Sequence, residues 1–144
     1  MPQIDIQGFD ELNDAFTRMS DIPESVMADA LTSMAEVASK AIKNKGESMG
    51  VRDPESSVHI LDKLKINKFK KDSSGGHVDI TFSGTRSRGN KRVRNAEIAF
   101  VNEYGTRKQR ARPFIGTALA EQESRIVDAG ISELGNWLEH EFEK

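Results

Sequence analysis

Cysteine is missing from all 144 residues, so no disulfide, thiolate zinc site or cysteine nucleophile can form. Aromatics are scarce, with seven Phe, one Tyr and one Trp. No apolar run approaches the roughly 20 residues of a membrane span. The opening MPQIDIQGFDE lacks the basic-then-apolar order of a secretory signal. These absences predict a soluble chain made in the cytoplasm, with no membrane contact. Catalytic signatures are missing too: there is no nucleophile elbow, no HExxH pair and no phosphate-cradling loop of the Gly-x4-Gly-Lys type. The histidines at His59, His77 and His140 stand apart, and although His77 and Asp79 would share a strand face, two ligands do not complete a metal site. Glu97 and Glu103, read as residues of one strand, would sit roughly 20 Å apart, too far for paired-carboxylate chemistry. The expectation is a protein that is not an enzyme and carries neither cofactor nor metal.

What is present is charge, unevenly placed. With 31% charged and 36% hydrophobic residues, the chain is polar but can bury one core, so 1–144 is read as a single domain. The net charge is −2, yet 84–112 holds nine cations (Arg86, Arg88, Lys91, Arg92, Arg94, Arg107, Lys108, Arg110 and Arg112) against Glu97 and Glu103. That window is therefore +7 and the remainder −9, with seven acids in the last 24 residues. Such a bipolar molecule is suited to head-to-tail self-association or to stacking on a complementary partner. A solvated loop beside a solvated helix face is the plainer alternative.

Periodicity predicts an α+β fold. IDIQG reads as a short strand, and Phe9, Leu12 and Phe16 as a short helix to about Ser20. Asp21-Ile-Pro-Glu24 has the form of a helix start, and Val26, Met27, Ala30, Leu31, Met34, Val37, Ala38, Ala41 and Ile42 continue one apolar face. Gly46 is the expected stop, giving a long helix over 22–45. The polar stretch 46–57 reads as a flexible loop. HILDKL suggests one helical turn, and KINKFKK and HVDITFS suggest a hairpin around the Asp72–Gly76 turn. The basic stretch 84–95 reads as a second flexible loop. AEIAFVNEY then reads as a third strand, with Ile98, Phe100 and Tyr104 on a core face. Ala99 and Val101 lie on the other side, where their apolar character calls for a covering loop or a second subunit. From Pro113 a final helix runs to about Phe142, with Gly130 and Gly135 marking a kink or a break. The expected architecture is a small antiparallel sheet of three to four strands packed by a long N-terminal and a long C-terminal helix.

AFVNEYGTRKQRARPFIGTAL, residues 99–119, concentrates the local signals. Gly105 permits a sharp departure from the preceding element, and Thr106 can bond its own turn. Pro113 suits a helix start, and Phe114 can fold back onto the sheet. Glu103 beside Arg107 or Arg112 suggests an ion pair. The segment reads as a structural joint of Glu103, Tyr104, Gly105, Thr106, Pro113 and Phe114 presenting cations outward. The cations of 84–95 and 107–112 also suit an alternative role, non-specific nucleic-acid binding, although no aromatics are interleaved with them.

The same residues carry a family resemblance. Ala99, Phe100, Val101, Glu103, Tyr104, Gly105 and Thr106, followed by Arg112, Pro113, Phe114 and Ala118, resemble the strand–Glu–aromatic–Gly–Thr, then Pro-Phe, then Ala pattern of the small neck and tail-completion proteins of long-tailed bacteriophages. The order of an early GFDEL, a long Ala-rich helix, a central sheet and a C-terminal helix is similar as well. SSVHILDKLKI departs from the Thr-Gly-x-Leu segment common in that family, and 84–95 is longer and more basic. The resemblance implies a structural virion protein at the head–tail junction or tail, made in the bacterial host cytoplasm. It would work as a ring-type homo-oligomer, monomeric in isolation or not, that docks to other neck or tail proteins and touches traversing DNA non-specifically.

Overall fold

The computed structural model describes residues 22–51, 59–73 and 75–143. The expected strand over 4–8, the helix from Phe9 and the cap at Asp21 lie outside the described residues, as do 52–57 of the expected loop 46–57, whose first residues, 46–48, are helical instead.

Helix α1 spans Glu24–Ser48 and begins directly after Pro23, whose carbonyl accepts the amides of Val26 and Met27 at 3.0 and 3.1 Å. Its buried residues are Ala30, Ala35, Ala38, Ile42 and Gly46, a seam of small side chains that lets neighbours approach closely. Gly46 does not stop the helix, as the sequence suggests, but lies inside it. A Cβ there would sit 2.6 Å from Leu61 Cδ2 and 3.2 Å from Phe114 Cδ2, so the glycine admits two large core side chains.

A 3-10 turn over Ile60–Lys63 leads into β1 (Leu64–Ile66), which pairs antiparallel with β2 (Ile80–Phe82). Leu64 faces Phe82 and Ile66 faces Ile80, and the pairing continues through Asn67–Asp79 and Lys70–His77 backbone bonds. This is the hairpin the alternation predicts. The stretch 84–95 is no loop: it forms β3 (Thr85–Arg88) and β4 (Lys91–Arg94), antiparallel and joined at Gly89-Asn90. Gly89 adopts φ 61°, as the first central position of a tight hairpin turn demands.

The largest correction concerns AEIAFVNEY, which is helical. Helix α2 spans Asn95–Tyr104 and buries Asn95, Ala99 and Asn102, a spacing of four and three that belongs to a helix. Ile98 packs beside Ala99 on the core. Phe100 and Tyr104, expected inside, stand on the outer face. Helix α3 (Phe114–Glu121) and helix α4 (Glu123–Phe142) follow, separated at Gln122 rather than at Gly130 or Gly135. Gly130 lies against Met34, where a Cβ would meet the sulfur at 2.5 Å.

The architecture is α+β, with a long helix at each end of the described chain. The four strands among the described residues form two separate pairs in place of one sheet. The core is Ile42, Val51, Ile60, Leu61, Ala99, Phe114 and Ala118, gathered where α1, the 3-10 turn, α2 and α3 meet. Phe114 is fully buried and meets Phe82 edge-on, ring centres 6.1 Å apart. Helix α4 lies along α1, tied by Ser33 Oγ donating to Glu133 at 3.1 Å.

Candidate functional site

The segment from Asn102 to Gly116 is a joint between two helices, not between a strand and a helix. Gly105 ends α2 with φ 75° and ψ 177°, a conformation only glycine adopts readily. Its amide donates to the Val101 carbonyl at 2.7 Å. A Cβ at this position would lie 2.7 Å from the Ala111 amide nitrogen and 2.9 Å from the Gln109 carbonyl oxygen. The returning chain passes directly over Gly105, so the residue is required twice, for its φ and for its missing side chain.

Thr106 closes the turn as expected: its Oγ1 accepts the amides of Lys108 and Gln109 at 3.2 and 3.1 Å, and its own amide donates to the Gln109 carbonyl at 2.9 Å. Asn102 fastens the turn to α2. It is buried, its side-chain oxygen accepts Gln109 Nε2 at 3.2 Å and its carbonyl accepts the Arg112 amide at 2.6 Å.

Glu103 departs from expectation. It makes no ion pair with Arg107 or Arg112. Its carboxylate instead accepts the backbone amides of Ile115 at 2.8 Å and Gly116 at 2.9 Å. Those amides have no partner within α3, and the negative charge sits at the positive end of the helix dipole. The last turn of α2 therefore caps the first turn of α3. Pro113 occupies the cap position with no side chain able to do this work, and its carbonyl accepts the Thr117 amide. Phe114 then anchors the helix in the core.

The remaining predicted residues divide by where the fold places them. Ala99, proposed from sequence as a subunit contact, is 2% exposed and belongs to the core, while Val101 is half-buried. Arg86 is half-buried, with Nε donating to Asn95 Oδ1 at 3.0 Å. Arg94 bonds Glu97 at 3.0 Å and Arg92 bonds Thr85 Oγ1 at 2.7 Å. Lys91, Arg107, Lys108 and Arg110 are exposed. Arg112 is exposed and donates to the Gly50 carbonyl at 2.9 Å, linking the elbow to the end of α1. Arg88 ends β3 beside the turn.

Tyr104 is not part of the joint. It is 70% exposed and packs against Phe100, itself 62% exposed, with ring centres 4.7 Å apart. Sequence reasoning missed this pair because it assigned both rings to a core face. Once α2 is helical, the i, i+4 spacing of 100 and 104 identifies it. The pair lies between the β3–β4 hairpin, which enters α2, and the elbow, which leaves it. The buried asparagines were missed as well. Asn95 takes its side-chain amide to the Ser83 carbonyl at 2.8 Å and holds the hairpin against α2.

Two grooves border these elements. One, of ≈ 510 Å³, runs between α1 and the α3–α4 break, where Lys45 pairs with Glu121 at 2.7 Å over an Ala41 and Ala118 floor. The other, of ≈ 410 Å³, is formed by Leu119, Ala120, Glu123, Ile126 and Val127 across the same break. His77 bonds Asp72 at 2.6 Å and lies 3.7 Å from Asp79, but no group of three or more ligands fit to hold a metal occurs among the described residues. No described helix is long and apolar enough to cross a membrane.

Comparison with protein-family models, with curated proteins and with solved structures finds no match to the chain.

Proposed function

We propose that this chain is a structural virion protein of a long-tailed bacteriophage, acting at the head–tail junction by ring-type self-association and docking to neighbouring neck or tail proteins. The observation that carries the reading is the elbow. The residues that resemble the phage family, Glu103, Gly105, Thr106, Pro113 and Phe114, are the ones that hold α2 and α3 together. A rigid joint that presents Arg107, Lys108 and Arg110 outward suits a docking surface, which needs geometry fixed before contact. The segregation of basic and acidic residues along the chain suits stacking of identical subunits. No part of this role requires catalysis.

The decisive experiment is electron microscopy of particles made without the protein. Filled heads beside separate tails are the expected products; normal joined particles, or heads that fail to fill, contradict the assignment.

A second reading, non-specific nucleic-acid binding, gains one specific observation. The β3–β4 ribbon exposes Lys91, Arg92 and Arg94, and the helix it leads into carries two exposed aromatics, Phe100 and Tyr104. Titration with duplex DNA at two salt concentrations tests this role, which needs binding at low salt that falls steeply as salt rises.

A further inference from the structure

The exposed face of α2 and the groove at the α3–α4 break differ in shape and in charge, and they complement one another. On α2, Phe100 and Tyr104 form an exposed aromatic pair, their ring planes tilted at 48°. Cations bracket it along the chain: the hairpin's Lys91, Arg92 and Arg94 lead into the helix, and Arg107, Lys108 and Arg110 follow three to six residues after Tyr104. At the other surface, Leu119, Ala120, Ile126 and Val127 line an apolar groove. Leu119 and Val127 are exposed although both are large and apolar. Glu123 stands in the groove lining with Asp128 exposed beside it, while Glu121 is paired with Lys45 and Arg125 is exposed between them.

The two surfaces are separate. Glu103 ties α2 to the first turn of α3, whereas the groove begins at the last turn of that helix. An exposed aromatic pair that carries the Arg94–Glu97 pair at one end and leads into the elbow's Arg107, Lys108 and Arg110 at the other suits an apolar groove edged by Glu123 and Asp128, an apolar centre with a polar surround being the usual anatomy of a specific contact.

We propose that the Phe100–Tyr104 face of one chain docks into the Leu119–Val127 groove of a second copy. The inference rests on the self-association in the proposed function and supplies its two surfaces. Because the surfaces differ, the contact is heterologous, and each chain keeps one free face of each kind after pairing. Repetition then yields a closed ring when the rotation closes and a filament when it does not. The exposed elbow cations Arg107, Lys108 and Arg110 set against Glu123 and Asp128 favour the unlike pairing of faces.

The absence of cysteine makes a direct test available. Ala96 is exposed one turn before Phe100 on the same side of α2, and Ala120 lines the groove and is exposed. The purified full-length variants Ala96→Cys and Ala120→Cys are mixed at high concentration with a short bismaleimide. The expected result is a mixed cross-linked dimer in several-fold excess over that formed between Ala96→Cys and Asn136→Cys, a control on the opposite side of α4. Adding Tyr104→Ala to the Ala96→Cys chain should remove the excess. Arg107→Glu with Arg110→Glu on that chain should weaken association about tenfold, the order expected for rim charges. Glu123→Lys with Asp128→Lys on the other chain should restore it.

Equal yields with the control overturn the proposal, and so does a monomer at every concentration. Predominant Ala96→Cys self-linking replaces it with a two-fold contact. Retention of a short DNA duplex by the Phe100–Tyr104 face, without excess cross-linking, assigns that face to nucleic acid instead. The cross-link reads purified protein and the particle assay reads assembly, so failure of this interface and failure of the virion role are distinct outcomes.

Discussion

Gly105 shows how much one residue can determine. Its φ of 75° and the 2.7 Å approach of the Ala111 amide leave no room for a side chain. Gly105→Val should destabilise the fold by about 2–4 kcal/mol, combining backbone strain with a steric clash. Urea unfolding checks this, and a variant as stable as the parent contradicts the geometry. The helical glycines separate into two kinds. Gly46→Ala drives a Cβ into Leu61 and Phe114 and should cost about 1–3 kcal/mol. Gly135→Ala meets nothing within 4 Å and should stabilise by about 0.5–1 kcal/mol through helix propensity alone. Thermal unfolding of the pair should move in opposite directions. The demand on Gly105 was legible in the sequence because turn chemistry is local. That on Gly46 was not, because it arises from Leu61 and Phe114, far away along the chain.

Among the elements, α2 and the β3–β4 hairpin were misread for related physical reasons. Helix α2 buries two asparagines, so its inward face does not register as an apolar stripe, and the apolar residues that remain imitate alternation. Asn95 and Asn102 are tolerated inside because each side-chain amide and carbonyl finds a partner. The hairpin has only Val93 as an apolar strand residue, and its cations masked the Gly89-Asn90 turn signal that stands in the sequence. The β1–β2 hairpin and α1 were legible because their apolar residues follow the expected periods. Glu103 joins α2 to α3, and its loss is a prediction about both helices. Glu103→Ala should cost about 1–2 kcal/mol, since two helix-end amides lose their acceptor. Glu103→Gln should recover part of this, as the amide oxygen can accept one of the two. Equal stability of all three proteins in urea contradicts the capping role.

For the whole molecule, the charge asymmetry separates folding from association. Arg107, Lys108 and Arg110 are exposed, so replacing all three with Gln should shift Tm by no more than about 2 °C. The same variant should weaken head–tail joining, measured as the fraction of infectious particles. A large fall in Tm would show that these cations support the fold, and unchanged joining would remove them from the docking surface. The bipolar pattern was legible from composition along the chain. Which cations are occupied internally was not, because the partners of Arg86 and Arg112 are set by tertiary contacts with Asn95 and Gly50.

Helix α1 has a consequence for dimensions. Its 25 residues make a strut of about 37 Å at 1.5 Å per residue. The basic elbow is pinned near one end of it through Gly50 and Gly46, and α4 is laid along its length through Ser33 and Gly130. Both faces therefore gather toward the C-terminal end of the strut, the elbow at Gly50 and the α3–α4 break at Lys45. What separates the two faces is α3, whose 8 residues make a spacer of about 12 Å, so in the proposed assembly the step between subunits would be set by that short helix.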